Sequence, residues 1–213
     1  MTVTIKYHSQ FADHTISSYT QQWATAYGDL VQASNIDELY YFFSDIDAND
    51  NNEIVLAGFK SPYQSEAIII GGTLLGDNGR MGIDNYIQSL EFGESLISNT
   101  DNTAKQLEQV QLRFDGLEIE GDFYHSACSL SRAIHAEPGK PYQDGADQGT
   151  YNLLRGNADS MLELLKAQGV DINTPLKDMA IASQLDTTSE MMADAPIIDT
   201  IGSYDSAEIL MAA

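Results

Sequence analysis

Four strand-like segments follow one another between residues 53 and 124, and they restrict the fold more than any other feature of the sequence. The segments are EIVLAGF (53–59), EAIIIGGTLL (66–75), YIQSLEFG (86–93) and QVQLRFDGLEIEGDFY (109–124). In the last of them apolar residues alternate with polar ones on both sides of an Asp-Gly pair at 115–116, a pattern typical of a β-hairpin or a β-bulge. Consecutive strands joined by short connections pair antiparallel. The sequence therefore predicts an antiparallel meander.

A strand and a helix are predicted before this meander. The segment TVTIKY (2–7) alternates β-branched residues with others and predicts a strand. In the segment 15–30 aromatic and apolar residues recur at intervals of three and four, which predicts an amphipathic helix. Its expected N-cap is Ser17 or Ser18, and Gly28 is expected to end it.

Helices are also predicted after the meander. A connector rich in proline and glycine covers 136–149. One helix is expected over 157–169, with Asn157 as N-cap, and a second over 174–185. Strands that come first and helices that come later predict an α+β fold, with helices on one face of an antiparallel sheet.

The charge of the chain excludes two classes of partner. Its 213 residues include 32 acidic and 10 basic ones, for a net charge of −22. Nucleic acids and anionic membrane surfaces bind through clusters of Lys and Arg, so we expect neither nucleic-acid binding nor membrane insertion. We expect no cleaved secretory signal, because the segment MTVTIKYHSQF has no basic stretch followed by an apolar one, and no apolar run approaches the length of a membrane span. With a single cysteine, Cys128, no intramolecular disulfide is expected.

No catalytic or metal-binding motif stands out. The segment DIDANDNNE (45–53) begins like a calcium loop, but Asp50 stands where glycine is required and Leu56 where glutamate is required. The four histidines lack the spacing of a zinc site. The segment GGTLLGDNGR (71–80) lacks the Gly-Lys-Ser/Thr ending of a phosphate loop. We therefore expect a protein that is not an enzyme.

Two predicted loops carry apolar and aromatic residues. Residues 31–52 form a long loop with one short strand and include Tyr40, Tyr41 and two phenylalanines, and the second loop offers Leu75 and Met81. Such loops either clasp a flat apolar ligand or complete the core of the sheet, and spacing alone favours the core.

The C-terminal segment 186–213 is acidic and ends in YDSAEILMAA. One interpretation is a frayed tail. The other is an uncleaved signal read by type I secretion machinery, because acidic and hydroxyl residues precede an apolar end.

Several segments together resemble the HasA-type hemophores, a family of secreted haem-capturing proteins. They are TIKYHSQFADHTISSYTQQWATAYGDL at the N-terminus, SLEFGESL (89–96), LLRGNADSMLELLKAQGV (153–170), DMAIASQL (178–185), ADAPIIDTIG (193–202) and the end DSAEILMAA. The resemblance implies a curved antiparallel sheet with helices on one face and two loops that hold haem. It also implies a single domain over 1–185, a secretion signal in 186–213 and an extracellular location.

The resemblance also implies a ligand set that this chain only partly keeps. Family members take haem from host haemoproteins and deliver it to an outer-membrane receptor. Gln32 occupies the position of one iron ligand, which is glutamine in some members and histidine in others. Leu75 occupies the position of the second ligand, normally a tyrosine, and a leucine cannot bind iron. The substitute candidates on the same loops are Tyr40, Tyr41, Met81 and Tyr86.

Two hypotheses follow from this difference. The first is a monomeric, extracellular, haem-binding hemophore with altered or weakened iron ligation. The second is a protein of hemophore fold that has lost haem binding and engages a receptor or another partner through the same loops. A secreted acidic hydrolase is a third and much weaker alternative.

Overall fold

A mixed β-sheet carries the fold. A computed structural model of the chain describes residues 2–33, 46–48, 55–74, 85–98, 105–135, 145 and 147–185. Seven strands form one sheet within these residues, in the order β2-β3-β4-β5-β6-β1-β7. The strands are β1 (Thr4–Tyr7), β2 (Ile46–Ala48), β3 (Val55–Lys60), β4 (Glu66–Thr73), β5 (Tyr86–Ser98), β6 (Lys105–Glu120) and β7 (Ala182–Gln184).

The predicted antiparallel meander is confirmed from β2 to β6, where each strand pairs antiparallel with the next. The N-terminal strand β1 also pairs antiparallel with β6. At the far edge β7 runs parallel to β1, with Ile5 opposite Ala182, so the sheet is not antiparallel throughout. The described part of the chain has the predicted α+β architecture.

The Asp-Gly pair at 115–116 lies in a bulge and not in a hairpin. Gly116 has a φ of 76°, and β6 continues through it as one strand of 16 residues. Ile87 is opposite Ile119 and Ser89 is opposite Asp115, so two steps along β5 match four along β6. Bulges bend a strand and increase its twist, which is the geometry that a curved sheet requires.

Five helices are described, and the second and third of them were not predicted. They are α1 (Ile16–Tyr27), α2 (Leu30–Ala33), α3 (Asp122–His135), α4 (Gly149–Leu153) and α5 (Asp159–Ala167). The N-cap of α1 is Thr15, not Ser17 or Ser18, and Thr15 and Ser18 form a reciprocal capping box. Gly28 ends α1 at a φ of 80°, as predicted.

The predicted helix over 174–185 is wrong. The segment forms a short 3-10 helix at Leu176–Asp178 and then β7. The exposed edge of β1 offers backbone partners that the local helical pattern does not reveal. The amide of Ile5 donates to the carbonyl of Ile181 (2.9 Å), and the amide of Leu185 donates to the carbonyl of Tyr7 (2.8 Å).

The core lies between the sheet and the helices, on one face of the sheet. One buried cluster combines strand residues such as Ile68, Ile70 and Phe114 with residues from α1, α3, α4 and α5. The alternate residues of β4 point to the other face, where Ala67 and Ile69 join a small separate cluster. The helices therefore cover one face, as predicted. Among the described helices, none is long and apolar enough to cross a membrane.

Candidate functional site

Two of the six predicted site residues lie in the described part of the chain. They are Gln32, in α2, and Tyr86, the first residue of β5. Tyr40, Tyr41, Leu75 and Met81 lie outside the described residues. The structure thus describes the two segments from which the predicted loops leave the fold, which we call the first root (residues 28–33) and the second root (residues 71–74 and 85–86).

The first root is a short helix capped by Asp29. The Oδ1 atom of Asp29 accepts hydrogen bonds from the amide of Val31 (2.9 Å) and the amide of Gln32 (3.4 Å). A helix of four residues has little stability of its own, because few of its backbone groups find a partner inside it. Asp29 satisfies two of these amides and holds the turn that carries Gln32.

Asp29 is in turn held by Arg155 in a two-pronged ion pair. The Nε of Arg155 lies 2.6 Å from Oδ1, and Nη2 lies 2.7 Å from Oδ2. A third donor, Nη1, reaches the hydroxyl of Tyr151 at 2.7 Å. The hydrogen bond to Asp29 raises the pKa of Arg155 above its usual value, so the guanidinium stays charged.

Leu30 fixes the orientation of α2. Its side chain is fully buried, and its amide donates to the carbonyl of Leu154 at 3.0 Å. Because Leu30 faces the core, the neighbouring Gln32 is exposed. Its amide side chain is therefore available to a ligand at the surface, as the predicted role requires.

The second root is built on a close approach of two strands. A Cβ atom at Gly72 would overlap the carbonyl oxygen of Tyr86, so only glycine fits there. The register between β4 and β5 shifts at this point. Leu74 then enters the core and is fully buried. On the return side, the carbonyl of Asn85 accepts a hydrogen bond from the amide of Gly121 (2.8 Å).

Tyr86 lies at the point where the second loop rejoins the sheet. It pairs with Thr73 across the β4–β5 ladder, and its side chain is partly exposed. Ile87 beside it points into the core, so Tyr86 faces the opposite side of the sheet. Its phenol is therefore near the loop and outside the core, and the structure does not bring it together with Gln32.

Sequence reasoning missed two residues at the second root, Tyr124 and His125. Both are half-buried in the first turn of α3, and their rings are in edge-to-face contact at 5.4 Å. The amide of His125 donates to the carbonyl of Gly121 (3.2 Å), the residue that binds Asn85. The recurrence of Phe123, Ala127 and Leu130 at intervals of four and three would have predicted this helix.

A buried carboxylate links α3 to α4. The side chain of Asp122 accepts hydrogen bonds from the amides of Gly149 (2.6 Å) and Thr150 (2.9 Å), which opens α4. Burial raises the pKa of Asp122, against these hydrogen bonds, which lower it. Since α4 also carries Tyr151, the two roots share one continuous scaffold. It runs through Asn85, Gly121, Asp122, α4, Tyr151, Arg155 and Asp29.

The described residues offer single donors and no preformed metal cluster. Nowhere in the described ranges do three His, Cys, Asp or Glu side chains come together as a metal site. The scaffold instead presents an amide at Gln32, phenols at Tyr86 and Tyr124, and an imidazole at His125. Phenolate and imidazole are ligands of haem iron, and one or two of them suffice because the porphyrin supplies the other donors. The chemistry of this donor set fits a haem.

Comparison with known families decides the relationship. The family model described as "Heme-binding protein A (HasA)" matches residues 1–213. The chain belongs to the HasA family. A search of curated protein sequences finds no match.

Solved HasA structures resemble this one over nearly their whole length. The apo hemophore HasA from Yersinia pestis shares 28% identity with a TM-score of 0.63, covering 89% of this chain and 100% of that one. The holo hemophore HasA from the same organism shares 27% identity with a TM-score of 0.58, covering 87% and 99%. A monomeric tyrosine-to-alanine mutant of HasA from Yersinia pseudotuberculosis also shares 27% identity with a TM-score of 0.58, covering 87% of this chain and 99% of that one. The resemblance therefore covers a tyrosine-lacking variant as well as the apo and holo proteins.

Proposed function

We propose that this protein is an extracellular hemophore that binds haem with altered iron ligation, captures it from host haemoproteins and delivers it to an outer-membrane receptor. The observation that carries the proposal is the HasA family match over residues 1–213. The solved relatives include a holo hemophore, and haem is the ligand we assign to this chain. The protein acts as a carrier and not as an enzyme.

Both roots support haem binding between the two loops. Gln32 is exposed on a helix that is fixed by Asp29 and Leu30. The second loop begins after Leu74 and ends before Asn85, and both of these residues are buried. Haem supplies an iron that takes one or two axial ligands, and a rigid scaffold reduces the entropy lost when the loops close over it. The scaffold that links the two roots serves this purpose.

The ligation is altered because Leu75 stands at the tyrosine position. The remaining donors beside the second loop are Tyr86, Tyr124 and His125. We expect His125 to take over, since it is half-buried and its backbone is linked through Gly121 to Asn85 at the second root, and imidazole is a common ligand of haem iron. The loop residue Met81 and the first-loop residues Tyr40 and Tyr41 remain further candidates.

Hemin titration of four proteins tests this proposal. The wild type is expected to give a stoichiometric Soret shift, and Leu75→Tyr is expected to bind at least tenfold more tightly. His125→Ala is expected to lose most of the shift, whereas His14→Ala retains it. His14 is a suitable control because it precedes α1 (Ile16–Tyr27), while the first root follows that helix. A helix of this length separates the two by about 18 Å.

The substitution at Leu75 also favours a second candidate function. If the wild type gives no Soret shift and Leu75→Tyr gains one, the protein is a hemophore-fold module that engages a receptor or another partner without haem. If neither protein binds hemin, haem capture is rejected altogether.

Export and assembly complete the proposal. We assign residues 186–213 to a type I secretion signal and the mature protein to a monomer. Deletion of 186–213 is expected to retain the protein inside cells that carry the cognate exporter, while the wild type appears in the medium. Light scattering after size-exclusion chromatography is expected to give the mass of a single chain.

A further inference from the structure

A small cavity lies at the end of β4 that is remote from the second root. It has a volume of about 120 Å³, opens partly to solvent and lies between α1 and the strands β4, β5 and β6. Its lining includes the side chains of Phe11, Tyr19, Trp23, Glu66, Glu94 and Gln111. Glu66 is the first residue of β4, and Thr73 at the second root is the last. The two ends of this strand are about 23 Å apart, so the cavity lies away from the second root, while Ala26 in its lining is two residues before Gly28 of the first root.

Two carboxylates meet in this cavity without a cation. Glu66 and Glu94 are directly opposite each other in the β4–β5 ladder. Like charges in such a pair destabilise a sheet, because their side chains are close together on one face. The Oε2 atom of Glu66 is also buried and has no hydrogen-bond partner. A buried carboxylate oxygen without a partner is costly, and none of the residues that line the cavity carries a positive charge.

Three of the other polar side chains, Tyr19, Gln111 and Glu94, are joined by hydrogen bonds. The hydroxyl of Tyr19 donates to Oε1 of Gln111 (2.8 Å), and Nε2 of Gln111 donates to Oε1 of Glu94 (2.8 Å). Burial, together with the charges of Glu94 and Glu66, raises the pKa of Tyr19 well above its usual value, so its phenol remains a neutral donor. Glu94 is therefore positioned, while Glu66 keeps one oxygen unpaired.

Aromatic rings, together with Gln22 and Ala26, complete the lining of the cavity. Trp23 stacks on Tyr27 at 4.9 Å and meets Phe92 edge-to-face at 5.0 Å. Phe11 and Tyr19 are in edge-to-face contact at 4.9 Å. These contacts fix the rings, and the faces of aromatic rings attract cations. Two carboxylates among fixed aromatic rings are the arrangement that recognises an ammonium group.

We propose that this cavity binds the ammonium group of an organic amine, with Glu66 and Glu94 as counter-charges and Trp23 and Tyr19 as the aromatic wall. The volume corresponds to about four water molecules, which suits a primary ammonium head with one or two carbon atoms. A divalent metal ion is a poorer fit, because Ca²⁺ requires six to eight oxygen ligands and three of the oxygens here, the Tyr19 hydroxyl, Gln111 Oε1 and Glu94 Oε1, already take part in hydrogen bonds. The amine is either a free small molecule or the end of a lysine side chain on a partner protein.

Binding can be followed with the protein's own tryptophan. Trp23 is the single tryptophan of the chain, so the fluorescence of the apo protein reports on this cavity. We expect methylammonium chloride to give a saturable fluorescence change at constant ionic strength, adjusted with sodium chloride. Isothermal titration calorimetry supplies an affinity that does not depend on the optical signal. Hemin is omitted from both measurements, so that failure here is distinguishable from failure of the proposed haem function.

Matched variants decide the outcome. Glu66→Gln is expected to weaken methylammonium binding at least tenfold. It is also expected to raise the melting temperature, because it removes one of two negative charges that face each other. Glu118→Gln, at an exposed position of β6, is expected to leave the affinity unchanged. A further arm compares methylammonium with Nα-acetyl-lysine amide. Tighter binding of the lysine derivative identifies a partner's side chain as the source, and equal or weaker binding identifies a free amine.

Three results would overturn the proposal. The first is the absence of saturable heat and fluorescence changes with both amines. The second is an affinity for methylammonium that is the same in Glu66→Gln as in the wild type. The third is tighter binding of Ca²⁺ than of either amine, which would make the cavity a metal site.

Discussion

The ion pair between Asp29 and Arg155 is expected to control the stability of the first root. Residues 126 positions apart in the sequence are joined here by two hydrogen bonds of 2.6 and 2.7 Å. The side chains are 17% and 19% exposed, so the pair lies between the surface and the interior. Replacement of Asp29 therefore tests whether one long-range contact holds the helix that carries Gln32.

The expected cost follows from this burial. Exposed ion pairs contribute about 0.2–1 kcal/mol, whereas removal of one partner of a buried pair costs about 3–5 kcal/mol. For an intermediate exposure and a two-pronged geometry we expect Asp29→Asn to cost about 2 kcal/mol. The asparagine oxygen still accepts from the amide of Val31. Asp29→Ala loses this cap as well and is expected to cost about 1 kcal/mol more.

Urea unfolding monitored by tryptophan fluorescence measures the loss of stability caused by Asp29→Asn and by Asp29→Ala. A double-mutant cycle with Arg155→Met then separates the pair from the other contacts of each residue. The matched control is Asp13→Asn, which breaks the exposed pair between Asp13 and Lys177 and is expected to cost much less. A cost below about 0.5 kcal/mol for Asp29→Asn, or a coupling energy near zero in the cycle, would refute the reasoning.

Two further predictions concern the second root and the scaffold. Gly72→Ala is expected to destabilise the fold by about 3 kcal/mol, because the new Cβ overlaps the carbonyl oxygen of Tyr86, and an unchanged urea midpoint would contradict this close approach. Asp122 has a raised pKa in the folded state, so its contribution to stability is complete below pH 3.8 and is lost as the pH rises through the folded-state pKa. The destabilisation caused by Asp122→Asn is therefore expected to be larger at pH 3.5 than at pH 7, and unfolding free energies that give the opposite order would show that the pKa is lowered.

Local patterns predicted most of the regular structure. The alternation in β4 and β6 and the three-and-four spacing of α1 are properties of neighbouring residues, so they can be identified without the fold. The helix α3 was missed although its apolar spacing is regular, because the strand pattern before it was extended to Tyr124. The strand β7 was mistaken for a helix, since only the free edge of β1 gives its three residues a partner.

The candidate site was predicted less completely for the same reason. Gln32 and Tyr86 were named through the resemblance; Gln32 lies in the helix α2, where a loop was predicted, and Tyr86 is the first residue of β5. The roles of Asp29, Asp122 and Arg155 depend on contacts between distant segments, which no spacing indicates. His125 appeared as one of four scattered histidines until its backbone bond to Gly121, which binds Asn85, linked it to the second root.

The sequence by itself determined the α+β class, the meander and the end of α1 at Gly28. Backbone conformation and side-chain chemistry are local, and a short window of residues contains both. The tertiary structure decided which charged side chains form an ion pair and which face a side chain of the same charge. Asp29 forms an ion pair with Arg155, whereas the β4–β5 register places Glu66 opposite Glu94 in the cavity that Trp23 also lines. Register and burial depend on the whole chain, because each is the result of many distant contacts forming together.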